Sequence, residues 1–257
     1  MKRIWGHAIS LFVAGLAASA VVPACADNNQ TVFIRGFLAP SANRQNSICL
    51  YTDDPQQPQL FNSRMDVGIT DSYFAVILFG NQMNPRGDPQ NNRAESNRIQ
   101  IFGGVVRVEN PDGSLINEFT SASVGFADPQ NNNSPDYGVT GMVVIDAPTK
   151  NIIAAGLPNR GVSKTVIINI KLFGKSLGGE DVETGEFKQP MQVCNGCLVD
   201  FSSGNEETSK IQPNCLKPLA AGGAGGGGGT PCFGGQDELT PCQTCIRSRK
   251  VCDPATP

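Results

Sequence analysis

Outside its first 25 residues the chain is written in short runs of branched and aromatic residues, each closed by glycine, proline, asparagine or aspartate. No segment there sustains the 3.6-residue period of an amphipathic helix. That pattern restricts the fold more than any other feature, because parallel α/β architectures need crossover helices. The runs read as strands over 31–38, 47–51, 73–79, 99–109, 115–119, 138–146, 164–173, 182–188 and 190–200. Residues 73–79, Tyr-Phe-Ala-Val-Ile-Leu-Phe, are apolar throughout and suit a central strand buried on both faces. Within 164–173, Val166, Ile168, Ile170 and Leu172 share one face, and Asn169 and Lys171 the other.

The run over 99–109 changes parity. Ile99 and Ile101 define one apolar face, but beyond Gly103 and Gly104 the set moves to Val106 and Val108. A β-bulge at the glycines accounts for the slip, because one inserted residue re-aims every later side chain. Asn110-Pro111-Asp112-Gly113 then marks a turn. The fold class implied is all-β: an antiparallel Greek-key or Ig-like β-sandwich over 31–201. After Phe201 the composition shifts. Residues 219–230 form a glycine-rich linker, and 202–257 as a whole read as an irregular, disulfide-rich tail.

The first 25 residues set the expected compartment. Lys2 and Arg3 precede an apolar stretch, Ala8 to Val22, too short to span a bilayer and followed by Val22-Pro23-Ala24-Cys25. Residues 1–24 read as a signal peptide, Cys25 as the lipidated residue and 25–30 as a tether. Cleavage after Ala26 or after Ala20 stays open as an alternative. Ala26, and not aspartate, follows Cys25, which favours the outer membrane. The expectation is therefore an exported protein of a Gram-negative envelope, in the outer membrane, the periplasm or on the cell surface. Loss of the signal also removes the only histidine, His7, and the only tryptophan, Trp5.

Removing Lys2 and Arg3 leaves 18 basic against 23 acidic side chains, a net charge of −5. No basic cluster suggests nucleic acid. In an exported chain the cysteines read as disulfide candidates: Cys49, Cys194, Cys197, Cys215, Cys232, Cys242, Cys245 and Cys252. With Cys25 acylated or cut away, these eight form an even set. Their connectivity is open.

Several motifs invite chemistry and meet simpler readings. Cys194-Asn195-Gly196-Cys197 lacks the helix N-terminus that activates a redox thiol, and Asn-Gly between extended runs signals a hairpin. Together with Cys242-x2-Cys245 it has zinc-knuckle spacing, across a flexible glycine tract and in an oxidising compartment. Gly174-Lys175-Ser176-Leu177-Gly178 matches a nucleophile elbow, but no helix pattern follows and no mature histidine can serve Ser176 as base. Glu180, Asp181, Glu183 and Glu186 could serve a glycoside hydrolase, and read more simply as a solvated face. Asp128 to Asp136 is rich in oxygen ligands but fits no calcium-loop spacing, and Arg86-Gly87-Asp88 reads as an exposed turn. No catalytic residue, metal ligand or cofactor is assigned.

Beyond these motifs, the chain resembles a group of lipoproteins of myxobacteria and their relatives. The resemblance is carried by Cys25, Thr31 to Leu38, Phe79-Gly80-Asn81-Gln82 and Phe173-Gly174 with Leu177-Gly178-Gly179. Val193 to Leu198 and the cluster opening at Pro231-Cys232, with Gly234 to Asp237, complete it. It covers nearly the whole mature chain and implies no activity. The expected function is a non-catalytic binding or structural module of the envelope, held by its N-terminal lipid and meeting an envelope protein or glycan. The alternatives are a redox or zinc protein using the CxxC pairs, and a carbohydrate-active enzyme using the carboxylates.

Overall fold

The computed structural model describes residues 31–40, 49–88, 94–201, 215, 231–244 and 250–252. Cys25, Cys245, the glycine linker and most of 202–230 lie outside the described residues. The protein is a mainly antiparallel β-sandwich. Sheet I holds β1 (Val32–Leu38), β2 (Gln59–Leu60), β4 (Tyr73–Asn81) and β7 (Asp136–Ile145), in the order β2-β1-β4-β7. Sheet II holds β3 (Ser63–Asp66), β5 (Ile99–Glu109), β6 (Leu115–Ala127), β8 (Ser163–Ser176) and β10 (Phe187–Cys194). Its order is β3-β10-β8-β5-β6, and β9 (Asp181–Glu183) pairs with β8. A small parallel pair joins β11 (Val199–Asp200) to β12 (Thr240–Pro241) in the tail.

Alternating apolar positions build the core. Val32, Phe37, Ala75, Ile77, Phe79 and Met142 of sheet I meet Ile99, Ile101, Val106, Val108, Val166, Ile168, Ile170, Leu172, Met191 and Val193 of sheet II. The outer face of sheet I is buried too. Leu38, Val76 and Leu78 are covered by Tyr51, Tyr137, Val139 and Phe233. A flap around 49–58 and the tail supply part of this cover, which is why 73–79 reads apolar without alternation.

The parity slip is a double bulge. Ile101 pairs with Gly125 of β6 and Gly174 of β8, while Gly104 pairs with Ser121 and Leu172. Across that stretch β6 advances four residues, β5 three and β8 two. Each strand nearer the β6 edge follows a longer path, so the sheet must curl there. The curl accompanies close contact of β6 with β7 of the other sheet. A Cβ on Gly138 would collide with the Phe126 carbonyl, and the Ser123 hydroxyl bonds that of Thr140. Strands β5, β6 and β7 are thus successive neighbours, and β8 returns beside β5, the 4-1-2-3 order of a Greek key.

Five local expectations need correction. The run expected over 182–188 is split, with β9 ending at Glu183 and β10 starting at Phe187. Residues 49–51 form no strand; they belong to the flap, and 47–48 lie outside the described residues. β3 runs parallel to β10, because the chain crosses from β2 of sheet I to reach it. The extended runs around Cys194 to Cys197 do not pair with each other: β10 pairs with β8 and β3, and β11 with β12. Finally, α1 (Ala147–Ala154) is a short helix. Asp146 caps it by accepting from Thr149 N at 2.9 Å, and Pro148 sits in its first turn. At eight residues it is too short to show a sustained period.

Candidate functional site

The sandwich has two unlike ends. The ends of β1, β3, β7 and β10 and the start of β4 share the first with α1 and the tail. The start of β1, the end of β4, the start of β5 and the end of β8 share the second.

At the first end, three disulfides are set among the described residues: Cys49–Cys232, Cys194–Cys197 and Cys215–Cys242. Cys252 is disulfide-bonded as well. Cys49–Cys232 spans 183 residues and ties the flap to the tail. Cys194–Cys197 closes a ring three residues apart, with Cys194 buried and Cys197 exposed. Gly196 takes φ +77° in this ring, a left-handed conformation suited to glycine. Three sulfurs of the knuckle-like spacing, Cys194, Cys197 and Cys242, are therefore divided between two bonds, since Cys242 joins Cys215.

Behind the ring lies Asp66, fully buried. Its carboxylate lies within 4.8 Å of both ring sulfurs. Oδ1 accepts from Gly68 N at 2.9 Å and Gly196 N at 2.8 Å, and Oδ2 from Leu198 N at 2.9 Å. Three amides thus hold a buried carboxylate in place of water. Asn195 pins the ring further, donating from Nδ2 to the Leu157 carbonyl at 2.9 Å.

The tail then knits onto the sandwich. Asp237 accepts at Oδ1 from Arg64 N at 2.8 Å and at Oδ2 from the Tyr73 hydroxyl at 2.5 Å. Gln236 donates to Ser72 O at 2.9 Å and accepts from Phe74 N at 3.2 Å. Burial pushes the Tyr73 phenol well above its usual range, and the neighbouring Asp237 charge adds to that. Burial also raises the Asp237 carboxyl, against the hydrogen bond from Tyr73. Below them Ile69, Leu198, Val199, Cys242, Val251 and Cys252 form a second small core. The Arg160 guanidinium stacks on Phe201 at 4.5 Å and donates to the Val251 carbonyl.

The second end is open and polar. A cleft of about 530 Å³ is lined by Thr31, Gln82, Asn84, Arg86, Glu180 and Asp181, among others. Of the carboxylates singled out in the sequence, Glu180, Asp181 and Glu183 line it, and Glu186 is exposed in the link between β9 and β10. Asp181 pairs with Lys175 at 3.0 Å, and Glu183 pairs with Lys171. Ser176 sits in the tight turn from β8 to β9; its hydroxyl accepts from Glu180 N at 3.2 Å, and no helix follows. Beside Arg86-Gly87-Asp88, Glu95 accepts from Gly87 N and Asn97 N, each at 2.7 Å. Burial opposes its ionisation slightly, but the amides of Asn97, Gly87 and Arg86 outweigh that and lower its pKa.

The oxygen-rich loop from Asp128 to Asp136 spends its ligands on itself. Asp136 accepts from Asp128 N at 3.0 Å, Asn131 and Ser134 exchange backbone hydrogen bonds, and Asp128 pairs with Arg98 at 3.1 Å. Burial raises the Asp136 carboxyl, helped by the charges of Asp128 and Asp53.

Asp66, Tyr73, Glu95 and Asp237 escaped the sequence reading. Asp66-x-Gly68 carries the aspartate-turn signal that could have exposed the first. The Tyr73–Asp237 contact joins residues 164 positions apart and has no local signature.

A comparison with protein-family models finds no match, and none of the curated proteins matches the chain. The disulfides fit an oxidising compartment outside the cytoplasm. Among the described residues, no helix is long and apolar enough to cross a membrane.

Proposed function

We propose that the chain is a non-catalytic module of a Gram-negative cell envelope, exported and acylated at Cys25, that acts by binding or by supporting an envelope partner. One observation supports the reading most. Several of the reactive groups suggested by the sequence already have partners: Ser176 in its turn, Asp181 and Glu183 with lysines, Cys194 with Cys197, and Cys242 with Cys215. What remains is a cross-braced scaffold with a polar open end, suited to presenting a surface. The likeness to myxobacterial lipoproteins supports the exported, acylated part of the reading.

The test is direct. Natively purified protein is assayed for saturable binding to envelope glycans and envelope proteins, and for turnover on glycan and peptide substrates. Specific binding without turnover supports the proposal. Hydrolysis that is lost on Glu→Gln change at Glu180 or Glu183 replaces it with the carbohydrate-active reading.

One observation favours a second reading, a redox protein. Cys197 is exposed to an attacking thiol, while Cys194 and Asp66 lie buried behind it. Thiol titration and metal analysis of native protein separate the two. Disulfides that persist against a glutathione buffer remove the redox reading.

A further inference from the structure

Single apolar side chains on a surface need no explanation, whereas contiguous ones do. Phe102, Val124, Phe126 and Leu177 are 42%, 68%, 43% and 57% exposed; strand register makes the first three neighbours and sets Leu177 across Arg98 on the same face. Ile99 pairs with Ala127 and with Ser176, so the next outward row sets Arg98 between Asp128 and Leu177. The row after it sets Gln100 between Phe126 and Lys175. Phe102, the extra residue relative to β8, then stands opposite Ser123 and Val124. The Arg98 guanidinium lies over the Phe126 ring at 5.3 Å. The result is an apolar patch, edged by the ion pairs Arg98–Asp128 and Lys175–Asp181, on the outer face of sheet II at the open end.

The start of β1 lies at that same end. Val32 pairs with Asn81, whose amide donates to the carbonyls of Asn97 at 2.9 Å and Ala127 at 3.3 Å. Asn97 and Ala127 adjoin Arg98 and Phe126. From Cys25 to Thr31 the chain can reach at most about 20 Å. An acylated Cys25 therefore keeps the patch close to the bilayer surface.

We propose that this patch is a second contact with the membrane, made by inserting Phe102, Val124, Phe126 and Leu177 into the lipid interface. Arg98 and Lys175, with the Asp128 and Asp181 carboxylates that pair with them, then sit at headgroup depth, where long cations place their charge while their stems stay apolar. The inference rests on the reading that Cys25 is acylated. The acyl chains supply the anchorage, and the patch sets the attitude. The open end meets lipid, and the disulfide-braced end with α1 points away from it.

With Trp5 removed, a single introduced tryptophan is a clean reporter. Phe126→Trp, Val124→Trp and, on the exposed face of α1, Ile152→Trp are expressed from the full chain and purified as the mature protein, without residues 1–24. Intact mass establishes the acyl chains on Cys25, and circular dichroism establishes the fold. Each variant is reconstituted into phosphatidylcholine vesicles with and without brominated chains. The Phe126→Trp and Val124→Trp proteins are expected to lose about half of their emission to bromine, and the Ile152→Trp protein almost none. Val124 is the more exposed site, so its variant keeps the test valid if Phe126→Trp fails to fold. Equal quenching at both ends, or none at either, in acylated protein overturns the proposal. So does a Phe126→Trp emission that shifts with peptidoglycan fragments and not with vesicles. An unmodified Cys25 overturns the anchor reading, and this proposal with it.

Discussion

The two ends of the sandwich are built on opposite principles. One is cross-braced: disulfides, a buried carboxylate on three amides, and the Tyr73–Asp237 bond tie chain segments far apart in sequence. The other carries no disulfide among the described residues; it is closed by tight turns, as at Ser176 and Glu95, by exposed ion pairs, and by the buried Asn81 amide on the carbonyls of Asn97 and Ala127. The difference teaches where stability is stored and where surface is free to meet a partner. Long-range ties restrict the unfolded chain and satisfy buried polar groups, whereas exposed pairs contribute little.

Breaking the braced end should have the largest effect. Replacing Cys49 and Cys232 with serine releases a 183-residue loop. The chain-entropy model sets the loss at about 5 kcal/mol as an upper figure. Urea unfolding measures it, and dye binding should report the uncovered face over Leu38, Val76 and Leu78. Asp66→Ala comes next, since it removes the carboxylate that accepts from the amides of Gly68, Gly196 and the buried Leu198. A loss of about 3 to 4 kcal/mol is expected, with Asp66→Asn recovering part of it. An unchanged midpoint in either variant would remove the distinction between the ends.

Tyr73→Phe sharpens the comparison through pH. A phenol raised by burial stabilises the fold below the ordinary tyrosine pKa, and that stability fades as pH rises beyond it. Wild type should therefore lose stability above pH about 10, and the Tyr73→Phe variant should lose less over that range. At neutral pH the variant costs about 2 kcal/mol, because it removes a hydrogen bond to a carboxylate. Asp237, also raised, acts at lower pH: its contribution is complete under acid and fades as the carboxyl ionises. Asp237→Asn should flatten that part of the stability profile, and asparagine tolerates the φ of +56°.

The smallest effect belongs to the open end. Lys175→Ala removes an exposed pair with Asp181 and should change stability by less than about 0.5 kcal/mol. A loss comparable to that of Tyr73→Phe would show that the open end is braced as well.

Much of the sandwich was legible because strand periodicity is local. Val166, Ile168, Ile170 and Leu172 all face the core as their spacing requires, and the parity slip near Gly103 and Gly104 marks a real bulge. The double nature of that bulge was not legible, since it takes the register of β6 and β8 to count residues on each side. The hairpin signal at Asn195-Gly196 failed because a buried aspartate and a disulfide held the turn while the strands took other partners. The apolar surface patch was invisible for a similar reason. Phe102, Val124, Phe126 and Leu177 sit on three different strands or their ends, and only register brings them together.

The sequence by itself determined the all-β class, the turn positions and the supply of cysteines, because backbone propensity and side-chain alternation act over a few residues. It also placed the only histidine, His7, within the first 25 residues. The tertiary structure decided which cysteines meet, which carboxylate is buried, and which end is braced. Those outcomes depend on contacts between residues up to 183 positions apart, and no local pattern encodes them.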